Sequence, residues 1–294
     1  MKNYLKLMRI KHYLKNVLIF IPLLFNQSLT NFEYFINVLL GFFAFSFIAS
    51  VVYIINDIND VEKDRLHPTK CNRPIAKGVI SIKKAYVLAI FLCLFSMLII
   101  YFTMGNFFNI PFIFLTLYLI LNVAYSMGLK NIPLVDLIIL TSGFIIRILF
   151  GAAIIGITIS NWLYLTVMAM SFYLGLGKRR NEILKSGNKS RKVLKYYTEN
   201  YLDKNMYMSL TLGIIFYSLW TIDNTNYYNN SNLLIYTIPL LIIIMMKYNL
   251  IIEGNSDGDP VEVLLSSKTL ILLCSLYAVV MFLIIYGSKI IGAL

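Results

Sequence analysis

Polar side chains are what this sequence has least of. Only 14% of its 294 residues are charged, against 59% hydrophobic and a mean hydropathy of +0.74. That leaves too little polar surface to coat a water-soluble globule of this length. Cysteine is scarce as well: Cys71, Cys93 and Cys274 are widely separated, which excludes a disulfide framework and the paired spacing of a zinc site. Acid is in short supply, with 14 Asp and Glu against 26 Lys and Arg and a formal charge of +12. An excess of that size suits nucleic acid in a soluble chain. Here the bases lie between apolar runs, against a membrane surface, so anionic lipid or an anionic substrate is the expected partner and nucleic acid is not.

The apolar residues fall into runs near the ~20 needed to cross a hydrocarbon layer of ~30 Å. Such runs make a helical bundle, not a β-barrel, whose strands alternate in polarity. The expected fold class is all-α, a polytopic bundle of about nine transmembrane helices forming a single domain over residues 1–294. Spans are placed at Tyr13 to Gln27, Phe35 to Ile55, Ile82 to Phe102, Phe108 to Ser126, Val135 to Ala153, Trp162 to Leu176, Met206 to Ile222, Leu233 to Tyr248 and Leu270 to Tyr286. The first is short, contains Pro22 and follows Lys2, Lys6, Arg9, Lys11 and Lys15, as a signal peptide would; no small-residue cleavage site follows it, only Asn26, Gln27 and Ser28.

An inside N-terminus puts four loops outside: Asn26 to Tyr34, Thr103 to Phe107, Ile154 to Asn161, and Asp223 to Asn232. None of them contains a Lys or Arg. Apart from Arg147 within a span and Lys289 at the far end, the bases lie in the N-terminal segment, the inner connections and the span ends that meet them. The positive-inside rule therefore sets the N-terminus and the inner loops on the cytoplasmic side. The sequence leaves the oligomeric state open, a homo-oligomer included.

Where the second span closes, the chain reads Asn56-Asp57-Ile58-Asn59-Asp60-Val61-Glu62-Lys63-Asp64. Offsets of three and seven residues put Asp57, Asp60 and Asp64 on one helical face. Converging carboxylates repel one another, and a divalent cation resolves the repulsion. Mg²⁺ typically takes one or two carboxylates plus water and phosphate oxygens, so the trio suits a metal that carries a diphosphate. The polar loop that follows, Arg65 to Gly78, contains two prolines and sets Lys70 and Arg73 beside the acids, where they can hold phosphate oxygens that the metal leaves free. His67 in this loop is expected to make structural hydrogen bonds.

A second constellation opens the fifth span: Tyr125, Lys130 and Asp136, followed by Arg147. Asp136 and Arg147 are 11 residues, about three helical turns, apart and so face the same way. Ionisable residues inside a span are costly and mark either a functional site or a polar network facing the bundle interior. A third cluster, Gly177-Lys178-Arg179-Arg180-Asn181-Glu182, ends the sixth span. Pro260 with Asp257, Asp259 and Glu262 marks an inner loop before the last span.

These motifs resemble those of the UbiA superfamily of intramembrane prenyltransferases, whose members hold diphosphate through Mg²⁺ between two polar motifs. Within it the resemblance runs nearly end to end with the polyprenyl-phosphate phosphoribosyltransferase branch. It is carried by Asn56 to Asp64 with His67-Pro68-Thr69-Lys70 and Arg73-Pro74-Ile75-Ala76, and by Gly128-Leu129-Lys130, Ile146-Arg147, Gly177-Lys178-Arg179 and Gly258-Asp259-Pro260-Val261-Glu262. Two departures stand out: His12-Tyr13 replaces a Gln-Trp pair ahead of Lys15-Asn16, and Ser266-Ser267-Lys268 replaces an acid.

The resemblance implies 5-phosphoribosyl 1-diphosphate as donor, a long polyprenyl phosphate as acceptor and Mg²⁺ as cofactor. It implies Asp57, Asp60 and Asp64 as metal ligands, with Asp57, Asp60, Lys130 and Asp136 as the catalytic set. Lys15, Asn16, Asn56, Lys70, Arg73, Tyr125, Arg147, Lys178 and Arg179 are expected to bind substrate, without apportioning the three phosphates among them. Two rivals use the same features: an ordinary prenyltransferase acting on a polyprenyl diphosphate and an aromatic or other acceptor, and a lipid transporter or flippase. No inverted repeat is evident, which counts against transport.

Overall fold

The computed structural model describes residues 2–66, 69–106, 108–186, 191–223, 231–254, 256 and 258–291. His67 and Pro68, residue 107 and residues 224–230 of two connections expected on the outer side, and Asp257 lie outside the described residues. Among the described residues every regular element is a helix. The chain forms two compact units, Met1–Ile139 with Ile146–Thr158, and Leu140–Ile145 with Ile159–Leu294.

The first unit holds α1 (Lys2–Met8), a 3₁₀ stretch (Ile10–Phe20), α2 (Ile21–Phe25), α3 (Phe32–Asn59), α4 (Val61–Arg65), α5 (Ile82–Met104), α6 (Ile110–Met127) and both ends of α7 (Val135–Ile154). Its long helices start where a side chain satisfies a free amide. Asn31 accepts from the Tyr34 amide at the head of α3, Ser81 from Lys84 on α5, and Asn109 from Phe112 on α6. Gly105, at φ +73°, ends α5 in a conformation that side chains resist.

Helix α3 is the axis of this unit, with α1, the 3₁₀ stretch, α5 and α6 all packed on it. The Phe45 ring on α3 meets Tyr118 of α6 at 4.6 Å and Phe150 of α7 at 5.2 Å between centroids. Outward faces are apolar: Val87 of α5 is 67% exposed and Leu94 62%, as expected of side chains that meet lipid. Close approach is set by glycine. A Cβ on Gly151 of α7 would stand 2.1 Å from the Ile19 carbonyl oxygen, and backbone cannot rotate away as a side chain can. Gly151→Ala should therefore destabilise the protein by about 3 kcal/mol, read as a lowered thermal midpoint in detergent; an unchanged midpoint would show that α7 slides freely on the 3₁₀ stretch.

The second unit holds α8 (Asn161–Ser186), α9 (Glu199–Asp223), α10 (Thr237–Glu253), α11 (Pro260–Ser266) and α12 (Lys268–Ile291). Helix α8 packs along α9, and α10 against α12. Buried hydroxyls join its elements: Tyr217 of α9 pairs with Thr237 at 2.5 Å and accepts from Tyr277 of α12 at 2.8 Å.

Among the described residues six helices are long and apolar enough to cross a membrane: Phe32–Asn59, Ile82–Met104, Ile110–Met127, Val135–Ile154, Asn232–Glu253 and Lys268–Gly287. They match six of the nine spans expected from the sequence, and the count of nine is not confirmed. Tyr13 to Gln27 is not one α-helix, since the 3₁₀ stretch changes to α2 at Ile21, with Pro22 in the first turn. Helices α8 and α9 have the length, but polar residues dilute their apolar content.

Candidate functional site

The acidic motif sits where α3 stops. The helix breaks at Asp60 and resumes as α4, yet the Asp60 amide still donates to the Asn56 carbonyl at 3.0 Å and the Asp64 amide to the Asp60 carbonyl at 2.8 Å. Helical spacing thus carries across the break. Asp57 and Asp64 are buried, at 3% and 4% exposure, while Asp60 is half-buried.

Each carboxylate has a basic partner. Arg9 donates to Asp57 Oδ1 at 2.5 Å, and Arg73 Nη1 donates to the same oxygen at 3.0 Å and to Asp64 Oδ2 at 2.6 Å. Lys130 Nζ donates to both oxygens of Asp60, at 3.1 and 3.2 Å. Ser126 donates to Asn56 Oδ1 at 3.2 Å. Three acids and three bases make a neutral cluster, so the repulsion expected of the bare aspartates is relieved by cations from three separate segments. Lys70 is half-buried in the turn Lys70–Asn72, just ahead of Arg73, and Tyr125 is half-buried beside Ser126.

The donor set fits Mg²⁺. Hard carboxylate oxygens of Asp57 and Asp64 stand on either side of one positively charged nitrogen, a place that a cation already favours. Among the described residues no three Asp, Glu, His or Cys side chains converge closely enough to hold an ion alone. Mg²⁺ here would draw its remaining ligands from water and phosphate, as it commonly does.

Deeper in the first unit, Arg147 of α7 is buried and donates through Nε to Asn16 Oδ1 at 2.7 Å and through Nη2 to the Tyr118 hydroxyl at 3.2 Å. Its guanidinium carbon lies 5.0 Å from the centroids of both the Phe45 and Tyr118 rings. Asn16 in turn donates to Ser46 at 2.8 Å. The charge is carried inside the bundle by a polar network and two aromatic faces. Lys15, next to Asn16, is half-buried, and Asp136 on α7 is fully buried.

Lys178 and Arg179 belong to the second unit. Lys178 Nζ donates to Asp259 Oδ2 at 3.1 Å, while Asp259 Oδ1 accepts from the Val261 amide at the head of α11. Gly258 makes this contact possible. It sits at φ +70°, and a Cβ there would lie 2.9 Å from Lys178 Cα and 3.1 Å from Asn181 Cβ. Two motifs distant in sequence, Gly177-Lys178-Arg179 and Gly258-Asp259-Pro260, are therefore docked. Gly258→Val should undo the docking and cut activity at least about tenfold, since it needs both a disfavoured φ and space already filled; wild-type turnover would show that the docking is dispensable.

Arg179 is fully buried and donates to Glu182 at 2.8 Å; Arg191 reaches the same Glu182 oxygen at 3.2 Å. Burial pushes the Glu182 carboxyl up, but Arg179, Arg191 and Lys178 outweigh it and hold the group below the usual carboxylate value.

Sequence reasoning missed Arg9, which looked like one more base obeying the positive-inside rule. Its left-handed backbone and its reach to Asp57 leave no periodic signal. It also missed the Lys178–Asp259 pair, although the two stretches that supply it were singled out separately.

A helical membrane protein with a neutralised acid–base cluster at the end of its longest span is the class that fold and site define. The UbiA prenyltransferase family model matches residues 18–266. The chain belongs to that family. It is 34% identical over 273 residues, 90% of its length and 81% of the relative's, to the decaprenyl-phosphate phosphoribosyltransferase of Corynebacterium glutamicum. The decaprenyl-phosphate phosphoribosyltransferase of Mycobacterium tuberculosis is 32% identical over 277 residues, covering 91% of this chain and 89% of the relative. In fold it is similar to a UbiA homologue from Archaeoglobus fulgidus bound to GPP and Mg²⁺, with a TM-score of 0.71 and 20% identity over 96% of this chain and 99% of that one.

Proposed function

We propose that this protein transfers 5-phosphoribose from 5-phosphoribosyl 1-diphosphate to a polyprenyl phosphate, releasing diphosphate, with Mg²⁺ as cofactor. One observation carries the proposal: identity of about a third with curated phosphoribosyltransferases over nine-tenths of the chain. The acid–base cluster suits it, because a donor with a diphosphate and a 5-phosphate and an acceptor with a third phosphate call for a site rich in bases.

A lipid phosphate oxygen attacks the anomeric carbon as the bond from that carbon to the diphosphate oxygen breaks, and the electron pair leaves with the diphosphate. An anionic phosphate needs no strong general base. Asp57, Asp60 and Asp64 would hold Mg²⁺, which when bound would supply positive charge for the departing diphosphate. Lys130, Arg73 and Lys70 serve the phosphate oxygens, with Asn56 orienting the aspartates and Tyr125 and Asp136 completing the pocket. Lys15, Asn16, Arg147, Lys178 and Arg179 are held as substrate-binding residues, and the site faces the cytoplasm, where the donor is soluble.

The alternative is transfer of a prenyl group from a polyprenyl diphosphate, favoured by the fold's likeness to a homologue bound to GPP and Mg²⁺. Incubating the purified protein with Mg²⁺, labelled 5-phosphoribosyl 1-diphosphate and a polyprenyl monophosphate separates the two. Label should enter the lipid phase, and Asp60→Ala should lower its rate by about 10²-fold or more. Turnover of a polyprenyl diphosphate with an aromatic acceptor, and no label in lipid, would establish the alternative.

A further inference from the structure

We infer that Arg9 is a displaceable counter-ion of the site, and that metal and diphosphate bind cooperatively because each frees the partners of the other. The inference rests on the metal and diphosphate assigned above, not on which group is transferred. Its basis is the position of one side chain. Arg9 comes from the N-terminal segment, 48 residues before Asp57, and its guanidinium meets Asp57 Oδ1 at 2.5 Å. Asp57 is almost inaccessible to water, whereas the Arg9 side chain keeps 21% of its exposure. The basic partner can swing outward; the acid cannot follow.

Several features hold Arg9 there. Its backbone is left-handed, at φ 53° and ψ 49°, a conformation that residues with a Cβ seldom adopt. On its N-terminal side Leu7 is fully buried and Lys6 donates to the Asn72 carbonyl at 3.1 Å, next to Arg73. On its C-terminal side the 3₁₀ stretch packs on α3. The guanidinium carbon lies 4.6 Å above the Tyr53 ring, one turn before Asp57 on the same helix. Strain held by surrounding contacts is a recurrent mark of functional positions.

Arg9 and Arg73 converge on a single carboxylate oxygen. A divalent ion claiming that oxygen must loosen both, but not equally: Arg73 keeps its bond to Asp64 Oδ2 at 2.6 Å, whereas Arg9 loses the carboxylate that neutralises it. A diphosphate arriving with the metal supplies oxygens for both, since guanidinium pairs readily with phosphate. Metal alone strands the Arg9 charge; diphosphate alone finds both arginines occupied by carboxylates. The exchange keeps the buried cluster near neutrality throughout and couples the two ligands, a coupling that must be reciprocal.

Mn²⁺ and inorganic diphosphate test this in the purified full-length protein, with bound Mn²⁺ read by electron paramagnetic resonance. Diphosphate is released in both reactions considered above, so the titration stands whichever group is transferred. Saturating diphosphate should tighten Mn²⁺ binding at least about tenfold in the wild type. Arg9→Gln should tighten Mn²⁺ binding in the absence of diphosphate, and should shrink the coupling several-fold. Arg9→Lys keeps the charge and should retain most of the coupling, which preserves the test if Arg9→Gln does not fold. The inference is overturned if Arg9→Gln leaves Mn²⁺ affinity and coupling unchanged, or if Arg9→Lys loses the coupling altogether. Failure of the wild type to bind diphosphate under any condition would instead remove the diphosphate site itself.

Discussion

Asp57→Asn should lower phosphoribosyl transfer by about 10²–10³-fold, the scale on which one well-placed electrostatic contact acts. Asn keeps the shape and can still accept a hydrogen bond from Arg9 or Arg73, so the expected loss comes from charge. Without the carboxylate the cluster carries an excess cation in a buried place, which opposes a metal ion and leaves two guanidiniums sharing a neutral oxygen. The variant should also be less stable by about 1–3 kcal/mol, as hydrogen bonds to a charged group are weakened. Steady-state transfer measured across a Mg²⁺ titration checks this. Wild-type turnover at saturating Mg²⁺ would remove Asp57 from the metal site. The half-buried Asp60 pairs with the equally half-buried Lys130, so its loss should cost activity with less effect on folding.

Glu182→Ala is expected to be among the most damaging changes outside the acidic motif. Arg179 has no exposed surface and pairs with Glu182, so truncation takes a carboxylate away from a buried charge at a cost of about 3–5 kcal/mol. The thermal midpoint in detergent should fall by many degrees. A pH signature accompanies it. Because Glu182 titrates below its ordinary value of 4.5 in the folded protein, its contribution is fully present at neutral pH. It is lost as pH falls below that value and through the folded one. Glu182→Gln should flatten this acid limb of the stability curve while keeping a hydrogen bond to Arg179. Stability unchanged in Glu182→Ala would mean that Arg179 has other adequate partners.

What could be read from the sequence was whatever repeats along it. Apolar runs revealed a helical membrane protein, and an offset of three and seven residues revealed that Asp57, Asp60 and Asp64 share a face. The count of spans was less accessible, because Tyr13 to Gln27 is apolar enough for lipid but folds as a 3₁₀ stretch and a five-residue helix. Hydropathy does not register how tightly a helix is wound. Pairing between distant segments left no trace at all: nothing periodic joins Arg9 to Asp57, Lys130 to Asp60 or Lys178 to Asp259. Arg147 shows the intermediate case. Its place inside a span flagged it, while its bonds to Asn16 and Tyr118 depend on how three elements pack.

The length of α3 has a further meaning for a reaction that joins a sugar to a lipid. Its 28 residues extend about 42 Å at 1.5 Å each, some 12 Å more than a typical hydrocarbon layer. The apolar part, Phe35 to Ile55, matches that layer in length, which would leave Asp57 at the depth where headgroups meet water. An acceptor can present its phosphate there with its isoprenoid chain still dissolved among its neighbours, and a water-borne sugar phosphate can arrive from the other side. Neither reactant has to leave the phase it prefers.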